Sequence, residues 1–411
     1  MDKVIRIGSL ILLGIALLMA AGIVISYGRS NDPVANDPVP VPTNNHAPEE
    51  TPSITTNLTN THTINSHNPE VVHPKSGRYV AAWMPTEWDT DNARASFEAN
   101  LDYIDEVSPV WYDMRSNGTL RALGGSRDET LIETAHAAGV LVLPSITNGF
   151  DPDRTGYTLR DPDRRSRFVQ RIVDEVEEYD YDGVDIDFES MYSSEREVFT
   201  AFIRELAAAL HNNGKILAIA VHARSSAEGG AGGAQAQDWE AIGQVVDRFR
   251  IMTYDYHWRG GGAGPVSPIY WVEDVIEYAK TQVDPAKIQV GIPFYGYDWV
   301  GMDGSGVTWE LIQELIEIHE PEVHLQEWGE QGEVAEAWFN YRDREGWHEV
   351  WFSSPRSMEA KLDLIAEYDL AGMAIWRLGG ENPAYWHTIR ETLTRDPYEV
   401  LRSIVRYLPD P

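Results

Sequence analysis

The sequence predicts an α/β fold, a (β/α)8 TIM barrel, and three observations predict it. Eight short β-rich runs are spread over about 310 residues, the length such a barrel needs. Amphipathic helical stretches with their own start signals lie between most of them. One run, Tyr181–Glu189, alternates acidic with apolar residues, as a strand with one polar face must. The complete expectation is this barrel with a small α+β insertion between its seventh and eighth strands, preceded by a transmembrane signal anchor and a linker.

Taken from the N-terminus, Lys3 and Arg6 precede an uncharged apolar run from Ile7 to about Gly28. About 20 such residues suffice to span a bilayer. Ser26-Tyr27-Gly28 is a weak cleavage site, so residues 1–28 read as an uncleaved signal anchor, with a cleaved signal peptide as the alternative. Basic residues before the run, and Asp32 and Asp37 after it, place the bulk of the chain outside the membrane. Residues 29–77 are rich in Pro, Asn and Thr without helical or strand period and read as a disordered linker. Its histidines, His46, His62, His67 and His73, are irregularly spaced and predict no metal site.

The barrel is expected over 78–395. Its strands are Tyr79–Trp83, Val107–Tyr112, Val140–Ile146, Gly183–Phe188, Ile216–Val221, Phe249–Tyr254, Ile288–Phe294 and Leu370–Trp376. Ser126 with Glu129, and Ser194 with Glu197, have the spacing of capping boxes. Asp161-Pro162 reads as an N-cap followed by the first helical residue. Phe199, Phe202, Ile203, Leu206 and Leu210 recur at helical spacing. More than 70 residues separate the last two strands. They contain a helical stretch, Trp309–His319, and a strand-like run, His348–Phe352, so an insertion is expected at about 300–350. Residues 396–411 read as a C-terminal helix and tail.

Composition narrows the function. The formal net charge is −32, with only six lysines, which excludes a phosphate-binding surface and hence a nucleic-acid partner. It also excludes adhesion of the folded part to an anionic membrane. There is no cysteine, so no disulfide, thiolate metal site or Cys nucleophile is possible. No cofactor or metal is expected, and a monomer is the expected state. The 14 Trp are numerous and offer faces for barrel packing or for sugar rings.

The chemistry concentrates in Tyr181–Glu189. Alternate side chains of a strand share a face, so Asp185, Asp187 and Glu189 point one way, and Val184, Ile186 and Phe188 the other. In a barrel the apolar face meets the helices, and the acids line the interior, rising towards the C-terminal mouth where barrel sites sit. Successive acids are about 7 Å apart at the backbone, from a rise of about 3.3 Å per residue. Three charges so close in a partly dry core cannot all ionise, and one carboxyl keeps its proton near neutrality. That is what a general acid needs. A calcium loop starting at Asp180 and Asp182 is excluded by the position of Gly183.

Asp182-Gly183-Val184-Asp185-Ile186-Asp187-Phe188-Glu189 resembles the DxxDxDxE signature of glycoside hydrolase family 18, the chitinase-like barrels. Met252-Thr253-Tyr254-Asp255 is similar to that family's M-x-Y-D element, and Gly372-Met373-Ala374-Ile375-Trp376 to its strand ending in a barrel-floor Trp. The segment Gly291–Trp299, with Gly264-Pro265-Val266-Ser267-Pro268, resembles the spore-cortex-lytic and sporulation-associated bacterial subgroup. Where chitinases carry S-x-G-G, the third strand here ends Pro144-Ser145-Ile146-Thr147-Asn148-Gly149. The resemblance covers about 78–395.

The resemblance implies a glycosidase acting on β-linked N-acetylated amino-sugar polymers, either peptidoglycan-type glycan or chitin oligosaccharides. It also implies a retaining, substrate-assisted mechanism, a known exception to the two-carboxylate scheme. On it, Glu189 protonates the glycosidic oxygen, Asp187 holds the substrate acetamido group, Asp185 tunes Asp187, and Tyr254 positions the acetamido oxygen. Trp376 stacks under the sugar. Asp255, Met252, Asn148, Tyr297 and Trp83 are further candidates for contact with substrate, as is Trp299, and Asp182 and Gly183 belong to the motif's structural part. The alternative is a lectin-like barrel that binds chitin or a related glycan without cutting it. The expected location is extracytoplasmic, on the outer face of the cell membrane, or secreted if the signal is cleaved.

Overall fold

The structure is a computed structural model, described here over residues 74–328 and 333–393. The expected anchor, nearly all of the linker and the expected C-terminal helix lie outside the described residues. Among the described residues no helix is long and apolar enough to cross a membrane.

Eight parallel strands close into a barrel: β1 (Tyr79–Met84), β2 (Glu106–Met114), β3 (Ser145–Thr147), β4 (Gly183–Asp187), β5 (Ile216–His222), β6 (Arg248–Met252), β7 (Ile288–Pro293) and β8 (Gly372–Trp376). Each pairs with its neighbour in sequence, and β1 also pairs with β8, so no edge is left open. All eight expected runs are strands. The third is broken into Leu141–Val142 and Ser145–Thr147 around Pro144, which has no N–H to give the ladder. An unexpected short strand, Leu120–Ala122, folds back antiparallel on the end of β2. Between Val110 and Tyr112 the register of β2 shifts, which re-aims the residues beyond it.

The helices clothe the barrel through the apolar faces of the strands. On β4, Val184 and Ile186 are buried outward, and Phe188 stacks on Phe199 and Phe202 of the helix Arg196–Asn212 at 5.9 and 5.6 Å. Each such side chain contributes about 1.5–3 kcal/mol through the water it leaves. Asp161 caps the helix Pro162–Glu178 through its side chain, as its sequence context indicates.

Neither expected capping box forms. The helix Glu129–Ala137 is capped by Asp128, whose carboxylate accepts from Leu131 N–H and also holds Arg94. Arg127 is in the left-handed region, which carries Ser126 out of reach of the helix end. Ser194 sits inside a 3-10 turn, Ser193–Glu195, that leads into the next helix, so its hydroxyl is not at the cap position. A capping box does occur at Ser354 and Ser357, where two serines serve each other.

The insertion spans residues 296–352, starting four residues earlier than expected. It is a five-stranded antiparallel sheet in the order 303–307, 296–300, 347–352, 333–342, 324–328. The helix Trp309–His319 packs on it through Ile312, Leu315 and Ile316 against Phe339, Tyr341 and Phe352. Lys361, fully buried in the helix Pro355–Glu367, reaches Glu336 of the sheet at 3.2 Å. Glu336 also accepts from Val266 N–H and Ser353 Oγ, so the insertion is tied to the barrel and to the loop after β6 at one point.

Candidate active site

The site is built on β4. Asp185, Asp187 and Glu189 alternate along its inward face, and Glu189 lies two residues beyond Asp187, at the C-terminal mouth. Asp185 is completely buried. Its Oδ2 accepts from Trp83 Nε1 and Ser145 Oγ, each at 2.7 Å, and its Oδ1 lies 3.1 Å from Arg250 Nη1. Below it the barrel interior is ionic rather than apolar. Arg250 donates to Gln289 Oε1, Ser108 Oγ and Glu106 Oε2 at 2.9, 2.7 and 2.9 Å, and Arg248 also binds Glu106. Burial alone would push the Glu106 carboxyl up, but the two guanidinium groups hold it below its ordinary range.

Asp187 and Glu189 have no such cation beneath them. Burial pushes Asp187 well up, and the charges of Glu189 and Asp185 push it further. Burial raises Glu189 too, with His222 opposing. A proton is therefore favoured on this pair, where a shared proton relieves the repulsion. Asp187 Oδ1 is buried and has no hydrogen-bond partner among the described residues.

From β6, Tyr254 comes within electrostatic reach of Asp187, Glu189 and Asp255. Burial first, then these carboxylates, raises its hydroxyl well above the ordinary value, so it remains an O–H donor. Asp255 follows in the left-handed region and accepts hydrogen bonds from Tyr295 and Tyr297. Burial pushes Asp255 to about 6 despite those bonds. An aromatic file then runs from Tyr254 through Tyr295, Tyr297 and Trp299 with ring centroids 6.2, 5.6 and 5.1 Å apart. It joins Trp351 and Trp338 of the insertion, which stack on each other at 5.6 Å. Trp376, half-buried at the end of β8, packs edge-on against Trp83 at the floor.

The remaining sequence candidates surround this row at different depths. Trp83 is 2% exposed and its one donor is committed to Asp185, so it supports the floor of the barrel mouth. Asn148 is 1% exposed. Its amide donates to Thr155 Oγ1 and Ser190 O, and so holds the loop after Glu189. Tyr297 and Trp299 are each 1% exposed, and Tyr297 acts through Asp255. Met252 is half-buried at the end of β6, paired in register with His222. Asp182 sits at the opposite end of β4 from Glu189, accepting from Val142 N–H and His136 at 2.7 and 3.0 Å. At Gly183 a Cβ would stand 2.0 Å from the Ile216 carbonyl oxygen, so the strand pair requires glycine.

Sequence reasoning missed the residues that fix Glu189 from behind. His222 Nε2 lies 3.1 Å from the Glu189 carbonyl oxygen. A Cβ at Gly233 would come within 1.7 Å of the same oxygen, so the segment after β5 closes on the Glu189 backbone as only glycine allows. Gln237 completes the clamp, accepting from His222 N–H and donating to Phe188 O. The glycine-rich stretch 229–233 is the only trace of this in the sequence.

A closed (β/α)8 barrel whose fourth strand carries a rising row of carboxyls to its C-terminal mouth defines a class, the barrel glycoside hydrolases. Comparison with known proteins gives the family. Residues 79–381 match the model for glycosyl hydrolases family 18. The chain is 34% identical to the putative sporulation-specific glycosylase YdhD of Bacillus subtilis, over 69% of this chain and 68% of that protein. It is 30% identical to the cortical fragment-lytic enzyme of Bacillus anthracis, over 76% and 72%. Among solved structures, the Bacillus cereus spore cortex-lytic enzyme SleL superposes with a TM-score of 0.70 at 26% identity, covering 77% of this chain and 74% of that one. A chitinase from Chromobacterium violaceum gives 0.71 at 26%, covering 78% and 100%. The chain belongs to the family 18 glycosyl hydrolases and is a glycoside hydrolase.

Proposed function

We propose that the enzyme hydrolyses a β-linked N-acetylated glycan of the peptidoglycan type by a retaining, substrate-assisted route. One observation carries the mechanism. The buried Oδ1 of Asp187 has no partner, beside a pair of carboxyls that favours a proton. An unsatisfied acceptor so placed suits the N–H of a substrate acetamido group. In the first step Glu189 gives its proton to the glycosidic oxygen and the C1–O bond breaks. The substrate's acetamido oxygen forms the new bond to C1, and the positive charge on its nitrogen is stabilised by Asp187. In the second step Glu189 takes a proton from water, whose oxygen attacks C1 and opens the ring, restoring the β configuration. Tyr254 holds the acetamido oxygen by its O–H, and Trp376 lies under the sugar.

The relatives support the choice of glycan, since the cortical fragment-lytic enzyme and the sporulation glycosylase cover most of this chain. The end of β3, Ser145-Ile146-Thr147-Asn148, supports it too, because it lacks the S-x-G-G element of chitinases. Incubating the protein with purified peptidoglycan and with chito-oligosaccharides, and weighing the products, tests the choice. Release of muropeptide fragments is the expected result, and cleavage of chito-oligosaccharides alone sinks it.

The domain and location readings belong to the same proposal. Residues 1–28 hold the enzyme on the outer face of the membrane, and 29–77 act as a tether. A chain of about that length without packed structure would reach roughly 35–42 Å on average, enough to sample the adjacent wall. The protein is therefore expected in the membrane fraction with residues 1–28 intact. A mature N-terminus just after residue 28 in the culture medium would mean plain secretion.

A further inference from the structure

Beside the catalytic row lies a cavity of about 400 Å³ that the mechanism does not use. It is lined by Asp113, Arg115, Ser116, Asn117, Arg121 and Arg154. Three guanidinium groups meet here on a chain whose net charge is −32. The strand register places the cavity. Asp113 of β2 is paired with Thr147 of β3, and Thr147 with Asp187 of β4. Two strand spacings put the Asp113 backbone about 10 Å from that of Asp187. Ser145 binds the inward-facing Asp185, so Thr147, two residues on, shares the inward face.

The arginines are placed by the fold, and their charge is not fully spent within it. Asp113, 4% exposed, is gripped by Arg121 through Nε at 2.8 Å and through Nη2. Arg154 donates Nη1 to Met114 O at 2.6 Å and lies 3.5 Å from Asp113 and from Asp151. Its Nε is buried without a hydrogen bond. Gly149 makes room for it: the backbone there has φ +61°, and a Cβ would stand 2.4 Å from Arg154 Nη1. Arg115 is exposed and forms no ion pair among the described residues. Two carboxylates, Asp113 and Asp151, thus face three guanidinium groups, and Glu87 is the one further acid acting on Arg121. Among the described residues, Arg121 Nη1, Arg154 Nη2 and the Arg115 guanidinium make no hydrogen bond.

We propose that this cavity binds a carboxylate carried by the glycan. A planar, forked guanidinium suits that group better than any other side chain does. The proposal rests on the peptidoglycan reading above and sharpens it. A chitin chain has no anionic substituent to offer. In a peptidoglycan glycan every second sugar carries a lactyl ether, which ends in a free carboxylate or in a stem peptide with carboxylates of its own. The cavity would then select an anionic glycan and set which sugar lies over Asp187 and Glu189.

Binding to the full chain carrying Glu189→Gln separates recognition from cleavage. The probes are a muramic-acid-containing tetrasaccharide, its methyl ester, and chitotetraose, compared by calorimetry at low and raised salt. The free acid is expected to bind about tenfold tighter than the ester, the effect of one hydrogen bond to a charged group, with the margin shrinking as salt rises. Adding Arg115→Gln should remove most of that margin and leave chitotetraose unchanged. Arg115 is exposed and unpaired, so the fold should survive. A stem-peptide-bearing tetrasaccharide separates the two carboxylates: an Arg115-dependent gain there alone assigns the ligand to the peptide. Equal binding of acid and ester, with no Arg115-dependent gain for the peptide form, overturns the cavity's role. Loss of chitotetraose binding in Arg115→Gln by the same factor overturns it as well. If no muramyl ligand binds in any form while chitotetraose does, the peptidoglycan reading itself falls and takes the cavity with it.

Discussion

Glu189→Gln is expected to lower turnover on an unactivated glycan by about 10²–10⁴-fold, the usual worth of general acid catalysis, while glycan binding is retained. The amide keeps the shape of the side chain and removes the proton. The clamp from His222, Gly233 and Gln237 acts on the backbone of Glu189 and its neighbour, so the variant should keep its geometry. The substitution also removes one of the two charges that raise Asp187, so Asp187 should titrate lower in the variant. In the wild type the rate should fall on the alkaline side, because burial raises Glu189 and the acid is lost as pH rises through that raised value. Reducing-end release followed across pH checks both points. A variant with near wild-type turnover removes Glu189 from this role.

Fully deacetylated oligomers should bind and stay uncut, because the proposed nucleophile belongs to the substrate. Neighbouring-group attack gains up to about 7–11 kcal/mol from orientation already in place. A free amine offers no oxygen to attack with, and the acceptor on Asp187 loses its N–H of the right geometry. Asp255 is no substitute nucleophile, since its carboxyl is held by Tyr295 and Tyr297 and raised to about 6. Fresh product should be the β anomer, since two inversions restore the configuration. A thiazoline analogue of the cyclised sugar should inhibit competitively. Proton NMR of the first product, beside a deacetylated control, decides the matter. An α anomer, or comparable cleavage of the control, would point to a protein carboxylate as nucleophile.

The barrel was legible because its strands are buried on both sides and read as short apolar runs between helix signals. The row Asp185, Asp187, Glu189 was legible for the opposite reason, as polar residues breaking such a run at every second position. Less legible was whatever depended on partners distant in sequence. Asn148, Trp83 and Tyr297 have the right chemistry for sugar contacts, yet their polar atoms are committed to Ser190, Asp185 and Asp255. Spacing alone suggested caps at Ser126 and Ser194, but a left-handed Arg127 and a 3-10 turn moved both off the helix ends. The arginine cavity was invisible because Arg115 and Arg121 sit on the hairpin that ends β2, Arg154 on the helix Pro152–Leu159, and only the pairing of β2 with β3 brings that helix to the hairpin.

The ionic base of the barrel bears on how the chain can fold. Glu106 and Ser108 belong to β2, Asp185 to β4, Arg248 and Arg250 to β6, and Gln289 to β7. The acids all come from the first four strands and the arginines all from the last four. A half-barrel of either kind would hold uncompensated charges of one sign in its interior, and stranding one member of a buried pair costs about 3–5 kcal/mol. Neither half is therefore a viable intermediate with a dry centre. The charges of the two halves are paired only in the closed ring, so the dry centre of the barrel depends on all eight strands being in register.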